Sequence, residues 1–121
     1  MNKAEVLTVL KRGKRLVRAN FELRFLIASA NPAAASGKIA ISVPKRKLKS
    51  AVARNRIKRL VREEFRVHGA ARIPLHMLVN YNALNDGRDA SMRRLLRTEL
   101  VNLLNEAIVR TRVSNSGARA G

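Results

Sequence analysis

Apolar and polar positions alternate along the chain in two different rhythms. Residues 3–12 place Val6, Val9 and Leu10 on one helical face. Asn2 with Glu5 three residues later forms a capping-box pattern, and Gly13 supplies a stop. "RLV" (15–17) reads as a short strand. "FELRFLIA" (21–28) follows with Phe21, Leu23, Phe25 and Ile27 on one side and Glu22, Arg24 and Leu26 on the other, the period-two signature of a strand. "KIAISV" (38–43) alternates in the same way, turning Ile39, Ile41 and Val43 inward and the small Ala40 and Ser42 outward; Pro44 ends it.

The period then changes. In "ARNRIKRLVREEFR" (53–66), Ile57, Leu60, Val61 and Phe65 fall at i, i+3, i+4 and i+8, one stripe of a helix that Gly69 closes. "PLHMLVNY" (74–81) returns to alternation, with Leu75, Met77 and Val79 on one face. "NDGRD" (85–89) is a turn ending in a helix cap. Residues 90–110 form a long amphipathic helix whose core side is Leu96, Leu100, Leu103, Leu104 and Ala107. "NPAAASG" (31–37) is a loop, and residues 111–121 have the composition of a disordered basic tail. The order helix, strand, strand, strand, helix, strand, helix predicts an α+β two-layer sandwich in a single domain over 1–110.

Composition sharpens this picture. The chain of 121 residues is 46% hydrophobic but holds three Phe, one Tyr and no Trp, so its core must be aliphatic. It lacks cysteine, which excludes disulfides and thiolate metal sites and fits a cytoplasmic setting. The basic residues of the amino end follow its apolar stretch, the reverse of a secretory signal. No apolar run approaches the roughly 18 residues of a membrane span.

The net charge of +18 favours polyanionic partners and is unevenly placed. Residues 45–66 hold ten Lys or Arg against Glu63 and Glu64, which are expected to pair with neighbouring arginines on the helix. Residues 11–24 hold six against Glu22. Solvated helices normally intersperse Glu among Lys and Arg, yet no acid occurs from 45 to 62, so these cations need an external counter-charge. Arg54, Lys58 and Arg62 make a second stripe at i+4 steps, and arginine pairs bidentately with phosphate. A membrane-surface helix would need its apolar stripe free. Here that stripe is required to cover the strands. A DNA-binding regulator would show helix-turn-helix spacing or a dimerisation heptad, and neither is present. The expected partner is therefore nucleic acid and not membrane. Composition alone does not separate RNA from DNA, the missing regulator signals favour no DNA, and the chain is expected to be monomeric apart from its partner. His68 and His76 stand without a carboxylate cluster, and no nucleophile–base set or metal-ligand spacing emerges.

The basic helix carries a more specific pattern. "SVPKRKLKSAVARNRIKRLVREEFR" (42–66) resembles the signature of the bacterial ribonuclease P protein subunit: a strand ending in Ser42-Val43, the pair Lys45-Arg46, a short loop, then Arg54-Asn55-Arg56, Lys58-Arg59 and Arg62-Glu63. The resemblance implies a sandwich like the second domain of ribosomal protein S5, with a left-handed β-α-β crossover through this helix. It implies a protein that partners a catalytic RNA in removing the 5′ leader of precursor tRNA. That RNA, with Mg²⁺, performs the hydrolysis, so the protein is expected to bind no cofactor alone and to contribute no catalytic residue. Expected RNA contacts are Lys45, Arg46, Lys49, Arg54, Asn55, Arg56, Lys58, Arg59, Arg62 and Arg66. Replacing Arg54 or Arg56 by Ala should weaken RNA assembly more than folding.

The single-stranded leader is expected in a cleft between the first helix and the sheet, at Val6, Leu10, Arg24, Ala40 and Ser42. Relatives usually carry Phe at the first two positions and an aromatic at the third. Stacking is worth about 1–3 kcal/mol per base, so leader binding here is expected to be more electrostatic than in those relatives. Ala40 stands where a strand glycine is usual, and Pro44 where Ser or Ala is usual. Asn80-Tyr81-Asn82 replaces a basic strand end. The alternative to a processing subunit is a ribosomal or chaperone-like RNA-binding protein.

Overall fold

The computed structural model describes residues 1–28, 37–68 and 72–120, with side chains through residue 111. Its order is α1 (Lys3–Arg12), β1 (Lys14–Val17), β2 (Phe21–Ile27), β3 (Lys38–Ser42), α2 (Ala51–Val67), β4 (Leu75–Tyr81) and α3 (Ala90–Ala120). The expected loop 31–37 and the stop at Gly69 lie mostly or wholly outside the described residues. Helix α3 runs beyond residue 110, so its backbone takes in most of the segment whose composition suggests a disordered tail.

The four strands form one sheet in the order β1-β2-β4-β3. β1 pairs with β2 and β2 with β4 antiparallel, whereas β3 runs parallel to β4. A parallel pair needs a crossover, and α2 supplies it. The alternation of the strands sorts the two faces. Phe21, Leu23 and Phe25 of β2 and Leu75, Met77, Val79 and Tyr81 of β4 are buried on the inner face, where Phe21 and Tyr81 rings lie 5.2 Å apart.

Helices α2 and α3 cover that inner face. The predicted stripe Ile57, Leu60, Val61 and Phe65 is buried, with Ala53, against Leu96, Leu100, Leu103, Leu104 and Ala107 of α3 in one core. Burying each such side chain contributes about 1.5–3 kcal/mol, so this face, and not helix propensity, fixes α2 in place. Ile39 and Ile41 are only partly buried because β3 is an edge strand.

Helix α1 lies on the opposite face. Its capping box is formed as expected: the Glu5 amide donates to Asn2 Oδ1 at 2.8 Å, and the Asn2 amide donates to Glu5 Oε1 at 3.0 Å. Val9 is its anchor and is fully buried. Gly13 ends it with an ordinary φ of −67°, so the residue is required by space and not by a left-handed turn. A Cβ there would overlap the Val9 carbonyl oxygen and come within 3.1 Å of the Phe25 carbonyl oxygen.

Candidate nucleic-acid interface

The basic connector between β3 and α2 is a compact turn. The Pro44 carbonyl accepts from the amides of Lys47 and Leu48 at 3.0 and 3.2 Å, and Leu48 is buried as its apolar anchor. Lys45, Arg46 and Lys49 are thereby turned outward. Ser50 caps α2 by accepting from the Ala53 amide at 3.3 Å. Arg54 reaches back over this cap, donating from Nη1 to the carbonyls of Leu48 and Lys49, both at 2.9 Å. Arg56 Nη1 donates to the Asp86 carbonyl at 2.8 Å. Two of the three signature residues thus hold neighbouring loops, while Asn55 between them is exposed.

The rest of the helix presents its charge outward. Arg59, Arg62 and Arg66 are exposed and Lys58 is half-buried. Among the described residues, none of these, nor Lys45, Arg46 or Lys49, takes part in an ion pair. The two acids of α2 do not neutralise them. The sequence expectation that Glu63 and Glu64 pair with arginines on their own helix is corrected. Arg97 of α3 approaches them at 3.8 and 3.9 Å, and Glu64 also meets His68 at 2.9 Å. Arg59, four residues before Glu63, stands in the weaker orientation for a helical pair. The packing of α2 on α3 brings Arg97 within reach instead. Among the described residues, the outward cations of α2 and its connector are therefore unpaired, with Glu63 the one acid exposed among them.

A second feature lies between α1 and the outer face of the sheet. A cleft of about 440 Å³ is lined by Val6, Leu10, Glu22, Arg24, Ser42, Leu78 and Asn80. Four of the five residues expected there line it. Ala40 does not, although it neighbours Leu78 in the β3–β4 register. Glu22, Leu78 and Asn80 line the cleft as well; strand alternation turns them outward, and strand pairing sets them beside one another. Glu22 and Asn80 are register partners, as are Asn80 and Ser42, so a polar row crosses three strands.

The charge in this cleft is internally met. Glu22 accepts from Arg15 in a two-bond pair at 2.9 and 3.2 Å and from Arg24 Nε at 3.0 Å. The Arg15 bond, then the Arg24 bond, hold its carboxyl below the usual range against the opposing effect of burial. Arg24 Nη1 donates to the Leu10 carbonyl at 3.1 Å, near the end of α1. Beyond the cleft, Glu5 meets Lys38 at 3.2 Å and His76 at 3.4 Å, tying the start of α1 to β3 and β4. Among the described residues, no group of three or more His, Asp or Glu converges as a cation site, and no helix is long and apolar enough to cross a membrane.

These features define an α+β sandwich protein with an exposed cationic helix face and a separate cleft under its first helix. The chain belongs to the ribonuclease P protein family: the family model described as Ribonuclease P matches residues 1–108. Its fold is similar to that of the RNase P protein from Thermotoga maritima, at 26% identity over 84% of this chain and 89% of that one, with a TM-score of 0.67. It is also similar to the Staphylococcus aureus RNase P protein, at 22% identity over 93% of this chain and 94% of that one, with a TM-score of 0.65. No protein with a curated description matches the chain by sequence. Family membership places the chain in ribonuclease P and tRNA processing and implies an RNA partner.

Proposed function

We propose that this protein is the RNA-docking and leader-binding subunit of ribonuclease P. The outward face of α2 and the 45–49 connector bind the catalytic RNA, and the cleft beneath α1 receives the 5′ leader of precursor tRNA. The bond cleaved is a phosphodiester, and the catalytic RNA with its Mg²⁺ performs the hydrolysis. The protein's residues bind and position.

The observation that carries this reading is the division of α2 into two faces. Its apolar stripe is consumed by the core, which leaves no surface for lipid. Its opposite face holds Arg59, Arg62 and Arg66, none of which forms an ion pair among the described residues, and the acid beside them, Glu63, is shared with Arg97 of α3. Each phosphate contacted releases counterions, with a salt slope of roughly −0.7 for single strands and −0.9 for duplex, so such a face binds RNA strongly at low salt. The cleft is separate from that face and offers Asn80 and Ser42 as hydrogen-bonding groups beside the apolar Val6, Leu10 and Leu78.

The test is reconstitution with a bacterial ribonuclease P RNA and a precursor tRNA at low Mg²⁺. Stimulated cleavage at the mature 5′ end is expected. RNA binding without stimulation would instead identify a ribosomal or chaperone-like RNA-binding protein.

A further inference from the structure

The turn between β4 and α3 grips two arginines from different helices. Gly87 adopts φ +69°, and its amide donates to Asn85 Oδ1 at 2.9 Å. Around this bend four successive carbonyls are each taken by a side chain. Tyr81 Oη donates to the Asn85 carbonyl at 2.6 Å and Arg56 Nη1 to that of Asp86 at 2.8 Å. Arg93 Nη1 donates to the carbonyls of Gly87 and Arg88 at 2.9 and 2.6 Å. The two arginine stems flank the same residue: a Cβ on Gly87 would lie 3.6 Å from Arg56 Cδ and 3.8 Å from Arg93 Cγ.

Both guanidinium groups are held by carbonyls, and among the described residues neither forms an ion pair with a carboxylate. The nearby acids are otherwise engaged. Asp86 Oδ1 accepts from the Arg88 amide at 2.9 Å, and Asp89 Oδ1 from the Ser91 amide at 3.4 Å. A guanidinium carries five N–H donors. Arg56 and Arg93 each commit one nitrogen to the turn, which orients the rest of each fork at little further entropic cost. Two positive charges anchored to one turn, their stems beside the same glycine, favour an anion there.

We propose that Arg93 and Arg56 form a two-arginine clamp for a phosphodiester of the RNA partner, extending the interface from α2 onto the start of α3. This rests on the reading of α2 as the RNA-docking helix. Planar forks match phosphate oxygens bidentately, which a lysine cannot reproduce.

The experiment measures binding of the full chain to a bacterial ribonuclease P RNA across a salt series, with melting temperatures, for Arg93→Gln, Arg93→Lys and Arg62→Gln. Arg93→Gln should reduce the magnitude of the slope of log affinity against log salt by about 0.7–0.9 for the phosphate lost. Arg93→Lys should keep the slope and bind more weakly. A slope unchanged by Arg93→Gln but reduced by Arg62→Gln overturns the clamp and leaves the α2 reading standing. A slope unchanged by both overturns both. Should Arg93→Gln unfold, Arg93→Lys decides: weaker binding at an unchanged melting temperature supports the clamp, and unchanged binding overturns it.

Discussion

Arg24 donates to the carbonyl of Leu10 at 3.1 Å, so the sheet that floors the cleft is tied directly to the helix that walls it. The same guanidinium gives its Nε to Glu22, which also holds Arg15. The sequence suggests that Arg24, standing where relatives carry an aromatic ring, makes leader binding electrostatic. In the structure that charge is already shared with a carboxylate. Glu22→Gln should therefore release positive charge into the cleft. Precursor tRNA affinity of the reconstituted holoenzyme is expected to rise at low salt, with a steeper salt dependence than wild type. Unchanged affinity and slope would mean that Arg24 faces no phosphate.

The same carboxylate has a pH signature. Its two arginine partners lower the Glu22 pKa in the fold below its ordinary 4.5, so the folded state binds this proton less readily than the unfolded chain. The resulting stabilisation is fully present above the ordinary carboxylate range and is lost as pH falls through the lowered folded value. Glu5 and Glu106 are lowered too, Glu5 first by the Asn2 amide and Glu106 first by Arg18, and they act in the same direction. Melting temperature is expected to fall on acidification below the carboxylate range, and Glu22→Gln should flatten that decline without abolishing it. An acid limb identical in the two proteins would remove Glu22 from the account.

Two glycines should respond to alanine for different reasons. Gly87→Ala forces a left-handed φ on a side chain, at about 1–2 kcal/mol, and crowds Ile57 Cδ1 at 3.1 Å. Gly13→Ala meets no conformational penalty but runs into backbone on both sides, so α1 must move away from β2. Urea unfolding should register both losses. Only Gly13→Ala should also weaken leader binding, because only that change displaces the wall of the cleft. Equal leader affinity in the two variants would contradict this separation.

The sequence shows these elements to unequal depth, and the reason is the range of the forces involved. The Asn2–Glu5 cap, the α2 stripe and the strand alternations depend on neighbours a few positions apart, so pattern reveals them. The strand order and the lining of the cleft by Glu22, Leu78 and Asn80 depend on which strands pair. The partner of Glu63 is Arg97, and those two residues meet only because α2 packs on α3. Family resemblance located the arginine signature but not the carbonyls of Leu48, Lys49 and Asp86 that hold two of its members. Those bonds are tertiary, and no spacing rule encodes them.

They also change what substitution of the signature should do. Arg54 bridges two carbonyls of the connector, and hydrogen bonds from a charged donor are worth about 1.5–3 kcal/mol. Its side chain is partly exposed, so the lower end of that range applies to Arg54→Ala, a drop of several degrees in melting temperature. RNA affinity should fall with it, since the freed connector carries Lys45 and Arg46. Arg62 is exposed on the same helix and forms no hydrogen bond or ion pair among the described residues. Arg62→Ala should leave stability within about 0.5 kcal/mol while reducing the magnitude of the RNA salt slope by about 0.7–0.9. Thermal melts and salt titrations on the two variants separate the roles. An Arg54→Ala protein that melts like wild type would show that the carbonyl bonds do not hold the connector. An Arg62→Ala protein with an unaltered slope would place the RNA on some other face of the molecule.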